Sequence, residues 1–154
     1  MQNELNEAAE SGYRFMAVMG GDTAFGGSEV VAIMTRAAGD TTRFNYRLLA
    51  TSRTSTMQKE MQEAGDAGFE YRGQTIFKTA LGGQETVVIL ERDTAVSNPT
   101  RYEYRLLATN RTSTMQEELR EAGEAGFAFV GMTVASTRFG GDEVISILRR
   151  PVTP

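Results

Sequence analysis

The chain has 154 residues, a hydrophobic share of 40% and a formal net charge of −4, as expected of a folded protein with a buried core. It contains no cysteine, histidine or tryptophan, which excludes disulfides, thiolate nucleophiles, serine–histidine triads and Cys/His zinc sites. The acidic balance argues against nucleic acid as a partner, and no apolar stretch has the length of a membrane-spanning helix. We predict no cofactor, no metal site, no nucleic-acid partner and no membrane association.

One structural unit is repeated along the chain, in two complete copies and one partial copy. Its two complete copies align without a gap and carry the same residue at more than half of their positions, far more than chance gives. A third copy matches them from the helix onward. The predicted organisation in chain order is a truncated unit (1–36, unit 1), a linker (37–43), a complete unit (44–92, unit 2), a linker (93–101), a complete unit (102–150, unit 3) and a tail (151–154).

Each complete unit opens with a segment in which apolar and polar residues alternate. In unit 3, Tyr102, Tyr104 and Leu106 fall on one face at period two. This alternation predicts a half-buried strand with its aromatic face inward. The matching strand of unit 2 runs from Phe44 to Thr51.

The segment after the opening strand predicts a helix, with an apolar stripe at helical spacing. In both complete units a serine is followed three residues later by a glutamine, which is the spacing of a capping box. The predicted capping pairs are Ser55 with Gln58 and Ser113 with Gln116. A glycine before an aromatic residue predicts the left-handed residue that ends a helix, and it stands at Gly12, Gly68 and Gly126.

The second half of each unit predicts a β-hairpin. Paired glycines mark its turn, at Gly26-Gly27, Gly82-Gly83 and Gly140-Gly141. The strand after the turn is apolar on both faces, which indicates a central strand. Small residues in the strand before the turn predict a helix packed closely over it, and they are Ala17, Gly73 and Gly131.

The strand before the turn differs among units on the face predicted to point outward. By period-two alternation this face is polar in unit 2 and apolar in unit 3, where it comprises Ala128, Val130, Met132 and Val134. Unit 1 is intermediate, with Met16 and Val18. Contiguous apolar surface commonly meets a partner or a sister unit. These six residues are therefore the candidate interaction residues.

These patterns predict an α+β protein, a tandem repeat of β-α-β-β units with antiparallel sheets, three helices and eight strands. The first unit lacks its opening strand, because Met1 aligns with Met57 and Met115 at the start of the helix. The opening strand could pair within its own unit or with the preceding one, and the sequence leaves both open. An upstream strand behind a removed signal segment would make the protein secreted or exposed at the cell surface.

The unit resembles the small bacterial family called domain of unknown function 4177. The resemblance is carried by the Tyr-x-Tyr opening strand, the helix ending at Gly-aromatic and the closing strand finishing on arginine. Where that family typically has tryptophan after the glycine, this chain has Tyr13, Phe69 or Phe127. The resemblance implies the fold and the tandem organisation and transfers no site. Dodecins, small flavin-storing assemblies, show a weaker likeness of topology.

We expect a non-enzymatic repeat scaffold that acts through protein–protein contact or self-assembly, as a homo-oligomer or a larger assembly. A missing strand leaves a sheet edge unpaired, and another molecule could complete it. The alternative is a small-molecule-binding module with an aromatic-lined pocket between units, built from Tyr46, Tyr104, Phe69 and Phe127. A carboxylate-based hydrolase is a third hypothesis, for which no glutamate stands in a setting that would raise its pKa.

Overall fold

A computed structural model describes residues 1–22, 27–78, 83–136 and 142–152, and within them it contains three helices and eight strands. The predicted α+β class is confirmed. The helices are α1 (Gln2–Glu10), α2 (Thr54–Asp66) and α3 (Thr112–Glu124). The strands are β1 (Arg14–Asp22), β2 (Ser28–Thr35), β3 (Phe44–Thr51), β4 (Glu70–Lys78), β5 (Gln84–Asp93), β6 (Tyr102–Thr109), β7 (Ala128–Ser136) and β8 (Asp142–Pro151).

The strands form three small antiparallel sheets, one for each unit. Unit 2 has the strand order β3-β5-β4 and unit 3 the order β6-β8-β7, so the closing strand is central, as its apolar faces indicate. The opening strand pairs within its own unit, which settles the alternative that the sequence left open. In the part of the chain described, the sheet of unit 1 contains β1 and β2 alone.

The helix-ending glycines are confirmed. Gly12, Gly68 and Gly126 have φ angles of 86°, 79° and 84°, a region that residues with a Cβ rarely adopt. At α2 the amide of Phe69 donates to the carbonyl of Ala64, which satisfies a carbonyl left free at the helix end. The predicted hairpin pairs β1–β2, β4–β5 and β7–β8 are antiparallel neighbours, but most of the turn glycines lie outside the described residues.

The predicted capping boxes are wrong. The N-caps of α2 and α3 are Arg53 and Arg111, neither of which makes a side-chain capping hydrogen bond. Ser55 and Ser113 therefore lie inside their helices, two residues past the position that a capping serine occupies. The glutamine of the α2 pair instead binds the backbone of the next unit, as described below.

A β-bulge overturns the predicted faces of the strand before the turn. In unit 3 the register with β8 shifts between Phe129 and Gly131, so Val130 is the extra residue and the alternation of faces restarts there. The same shift occurs at the aligned positions of units 1 and 2. The apolar set predicted on one face of β7 is thus divided between the two faces of the sheet.

The main cores lie between consecutive units. The first contains Leu5, Ala9 and Phe15 of unit 1 together with Tyr46 and Ile89 of unit 2. The second combines residues of α2, β3 and β5 with three residues of unit 3, namely Tyr104, Ile145 and Ile147. A small third core lies under α3 and contains Ala122, Phe127 and Leu148.

The small residues of β4 and β7 face the preceding unit, so the predicted helix over them is wrong. A Cβ added at Gly73 would meet the Phe15 ring at 3.4 Å. A Cβ added at Gly131 would overlap the hydroxyl of Tyr71. The sheets approach closely at these positions because no side chain separates them.

Candidate functional site: the junctions between units

The opening strand joins two units because its two faces serve different cores. Tyr46 of β3 is 2% exposed and lies in the core between units 1 and 2. Leu49 of the same strand lies in the core between units 2 and 3. In β6, Tyr104 is likewise buried against unit 2 and Leu107 packs in unit 3. Each opening strand is therefore half of an inter-unit interface and half of its own sheet.

The buried tyrosine hydroxyls fix the register of each junction. The Tyr46 hydroxyl accepts a hydrogen bond from the Phe15 amide at 2.8 Å and donates to Glu91 at 2.7 Å. The Tyr104 hydroxyl accepts from the Tyr71 amide at 2.6 Å and donates to the Phe69 carbonyl at 3.1 Å. Buried polar groups that are fully paired specify one packing arrangement over others.

Amide side chains of each helix bind the backbone of the next opening strand. Gln58 donates to the Tyr104 carbonyl and accepts from the Leu106 amide, both at 2.8 Å. Gln62, one helical turn later, accepts from the Tyr104 amide at 3.0 Å. In the first junction the same contacts to β3 come from the aligned residues Gln2 and Asn6. The helix thus covers a strand edge that would otherwise be unpaired.

An ion pair with opposite polarity occupies the same place in the two junctions. In the first, Arg14 of unit 1 meets the buried carboxylate of Glu91 in unit 2 at 2.8 Å. In the second, Glu70 of unit 2 meets Arg149 of unit 3 at 2.7 Å. Arg14 aligns with Glu70, and Glu91 aligns with Arg149. A buried charge is costly without its partner, which applies to Glu91 in the first junction, whereas Glu70 and Arg149 in the second remain 35% and 23% exposed.

Arginine side chains cover the aromatic residue that follows each helix. Phe69 lies within 5.0 Å of two guanidiniums, one from the opening strand (Arg47) and one from the closing strand (Arg92). Phe127 has the same two neighbours, Arg105 and Arg150, at 4.2 and 4.6 Å. Among the described residues, Tyr13 in unit 1 has one such neighbour, the closing-strand Arg36 at 5.3 Å. Cation–π contacts of this kind stabilise by about 0.5–1 kcal/mol at exposed sites.

The two ends of the array expose apolar faces that correspond to the buried faces of the junctions. The tail face, on unit 3, consists of Phe129, Met132 and Val134, which are 55%, 52% and 41% exposed. Tyr71 and Gln74, which align with Phe129 and Met132, meet unit 3 at Gly131. The head face, on unit 1, consists of Met16, Met19, Val31 and Ile33, which are 62%, 70%, 47% and 54% exposed.

The six candidate interaction residues do not share one surface. Met132 and Val134 belong to the tail face, and Met16 belongs to the head face. Val130 and Val18 pack against the cores between units. Ala128 is exposed at the start of β7 and aligns with the ion-pair positions of units 1 and 2. The four aromatic residues of the small-molecule hypothesis are 2–5% exposed and fill the cores.

The functional residues that sequence reasoning missed are the helix amides and the reversed ion pair. Both could have been noticed in the internal alignment. Glutamine occupies the same position at Gln58 and Gln116, and the charge at the position of Arg14 is reversed at the aligned Glu70. The hydrolase hypothesis overlooked Glu91, which is 4% exposed. Its carboxylate is engaged by Arg14, Tyr46 and Arg72. The described residues contain no group of three side chains able to hold a metal ion, and none of the described helices could span a membrane.

Comparisons with protein-family models, curated proteins and solved structures found no match. The resemblance to the domain of unknown function 4177 family therefore stays a prediction.

Because tyrosines are buried at the second junction, we expect the free energy of unfolding to fall at alkaline pH. Burial raises the pKa of Tyr104 to about 12 and that of Tyr71 to about 12. Since both folded values lie above the unfolded value of about 10, the stabilisation is complete below pH 10 and is lost as the pH rises through 12. The expected slope is at most about 1.4 kcal/mol per pH unit for each tyrosine.

Tyr104→Phe tests this dependence. We expect a loss of about 1–3 kcal/mol at pH 8, because the Tyr71 amide and the Phe69 carbonyl lose their partner. The variant should also show a shallower decline between pH 10 and 12, measured by urea unfolding across that range. A decline equal to that of the unsubstituted protein would show that Tyr104 does not titrate in this way.

Proposed function

We propose that the protein is a non-enzymatic scaffold whose copies associate head to tail, the head face of one copy packing on the tail face of the next. The observation that carries this proposal is the repetition of the junction. The chain builds the same contact twice and exposes both halves of a third. On the head face, Ile33 aligns with Ile89, which is buried in the core shared with unit 1, and Met19 aligns with Thr75, whose hydroxyl accepts from the Gly20 amide of unit 1.

The charges at the two ends are compatible with such a contact. The position filled by Arg14 and Glu70 in the inner junctions is Ala128 in unit 3, and the position filled by Glu91 and Arg149 is Thr35 in unit 1. An end-to-end contact would therefore bury no unpaired charge there. Because the two faces differ, the contact is heterologous, and it gives open filaments unless the rotation between copies closes a ring.

The free side of α3 keeps part of what α2 uses in the inner junction, since Gln62 is replaced there by Arg120, which pairs with Glu124. Gln116 aligns with Gln58 and has no hydrogen-bond partner among the described residues. No described atom lies within 4 Å of a Cβ built at Gly123, whereas the aligned Gly65 is packed against Tyr102 and Tyr104 of unit 3. This side of unit 3 has the shape and the donors to receive an opening strand.

Variants blocked at one end test the proposal. Val31→Glu with Ile33→Glu blocks the head face, and Phe129→Glu with Met132→Glu blocks the tail face. All four side chains are at least 47% exposed, so the fold should tolerate them. We expect the unsubstituted protein to show a mass that rises with concentration in sedimentation equilibrium, and each variant alone to stay monomeric.

Mixing the two variants is the decisive measurement, because each keeps one intact face. An equimolar mixture should form particles of two copies and none larger. Val96→Glu, at an exposed apolar residue outside both faces, is the matched control and should leave assembly unchanged. Dimers formed by a blocked variant alone, or a monomeric unsubstituted protein at the highest attainable concentration, would overturn the proposal.

A further inference from the structure

An open groove lies in unit 1 where units 2 and 3 hold their opening strands. It has a volume of about 580 Å³ and runs between α1 and β2. Its lining includes Leu5 and Ala8 of the helix and three residues on one side of the strand, Val30, Ala32 and Met34. The floor and one wall are thus apolar, and the outer edge of β2 forms the second wall.

The complete units show what fills this place. In unit 2, Leu49 of β3 lies opposite Val88 and Arg47 lies opposite Leu90. Val88 and Leu90 align with Ala32 and Met34 of the groove. The β6 strand of unit 3 pairs with β8 in the same register.

The exposed fractions show that no described residue covers the corresponding place in unit 1. Ala64 and Ala122 on the inner sides of α2 and α3 are 0% exposed, whereas the aligned Ala8 is partly exposed. Phe69 and Phe127 are each 5% exposed, whereas the aligned Tyr13 is 39% exposed.

We infer that the groove binds an extended polypeptide segment with the pattern of the chain's own opening strands, aromatic-x-Tyr-Arg-Leu-Leu. The segment would pair antiparallel with the outer edge of β2, as β3 pairs with β5. Its second leucine would lie opposite Ala32, and its arginine opposite Met34 and over the ring of Tyr13. This inference deepens the proposed function and rests on it, since it names the chemistry of one partner of the same scaffold.

Two kinds of contact select this segment. Main-chain hydrogen bonds to the β2 edge provide affinity for any extended chain, and side-chain positions provide the choice of sequence. The arginine would supply at Tyr13 the second guanidinium that Phe69 and Phe127 have, since the described residues give Tyr13 only that of Arg36. The carboxylate of Glu7 lines the same groove and favours a cationic side chain there, whereas that of Glu4 is paired with the N-terminal ammonium at 2.9 Å.

The other face of the bound segment explains why the pattern contains two aromatic residues. In β3 and β6 that face enters the core of the preceding unit. A segment bound at β2 would present its aromatic side chains beside the head face, where the α3 side of another copy could receive them. The same segment would then strengthen the head-to-tail contact.

A labelled peptide with the sequence of residues 101–111 tests the inference by fluorescence anisotropy. The tail-blocked variant is used alongside the unsubstituted protein, since its groove is intact and it should be monomeric. We expect saturable binding to both proteins, and tighter binding by the unsubstituted protein at concentrations where it associates, because a segment that strengthens the contact is itself bound more tightly by the assembly. A peptide with Arg105→Glu and Leu107→Asp should bind at least about tenfold more weakly. A peptide with Tyr104→Ser should lose less affinity, because that side chain points away from the groove.

Variants of the protein locate the binding. Ala8→Arg fills the groove and should abolish binding, whereas Asn3→Arg, on the exposed side of the same helix, is the matched control and should leave it unchanged. Equal binding to the Ala8→Arg variant, or equal affinity for the Arg105→Glu, Leu107→Asp peptide, would overturn the inference, as would no binding. Binding without self-association would refute head-to-tail assembly alone.

Discussion

Gly65→Ala is expected to destabilise the protein by about 3 kcal/mol or more, although alanine is the better helix former. A Cβ at this position in α2 would overlap the carbonyl oxygen of Tyr102 and lie 2.8 Å from the Tyr104 ring. A backbone oxygen cannot move aside as a flexible side chain can, so β6 would have to shift away from the helix. Forced overpacking of this kind typically costs about 1–3 kcal/mol and sometimes more.

The aligned glycine of unit 3 provides the matched control. Gly123 occupies the same position in α3, and no described atom lies within 4 Å of a Cβ built there. Gly123→Ala should therefore show only the helix propensity of alanine and stabilise by about 0.5–1 kcal/mol. The first copy already has alanine here, Ala9, which is 1% exposed, so that junction has room for a Cβ.

Urea unfolding of the two variants measures the difference. The urea concentration at the unfolding midpoint should be lower for Gly65→Ala, and higher for Gly123→Ala, than for the unsubstituted protein. If both alanines raised stability equally, β6 would not pack against α2 as described, and the equivalence on which the head-to-tail proposal depends would be lost.

Glu91→Arg is expected to destabilise by about 3–5 kcal/mol, the usual effect of leaving a buried charge without its partner. The new guanidinium would face Arg14 across the junction and Arg72 within its own sheet, both of which now contact the carboxylate. The Tyr46 hydroxyl would lose its acceptor as well. Denaturation should therefore begin at the junction of units 1 and 2.

The second junction indicates which substitutions should restore the stability lost in Glu91→Arg. Adding Arg14→Glu reverses the pair and reproduces the arrangement of Glu70 with Arg149. Adding Arg72→Val removes the remaining positive charge beside the new arginine. Valine is chosen because unit 3 has Val130 at the aligned position. We expect the double variant to recover part of the loss and the triple variant most of it, in a thermodynamic cycle followed by urea unfolding. Purely additive losses would contradict the pairing described here.

Repetition made much of the fold predictable. Each element of unit 2 could be checked against unit 3, so alternation in the opening strands and the glycine before each aromatic predicted element types and helix ends that the structure confirms. The glycines succeeded because a positive φ is a local requirement of the backbone, visible at Gly68 without knowledge of its neighbours.

The candidate surfaces were predicted less well, for two physical reasons. A β-bulge adds one residue without a marked change in sequence, and at Val130 it moves every later side chain of β7 to the other face. Capping-box spacing describes a local pair, but Gln58 forms its hydrogen bonds with a strand 46 and 48 residues away. Nothing within one unit indicates that its helix covers the next unit's strand.

The sequence by itself determined the repeat and the order of the elements, because these depend on local periodicity and on internal alignment. Only the tertiary structure decided that the cores lie between units and that each opening strand serves two of them. That decision depends on which faces meet, and a face is set by packing between segments far apart in the chain. The same packing forms the two ion pairs of opposite polarity, Arg14 with Glu91 and Glu70 with Arg149. The two residues of each pair meet only because the sheets of consecutive units are stacked.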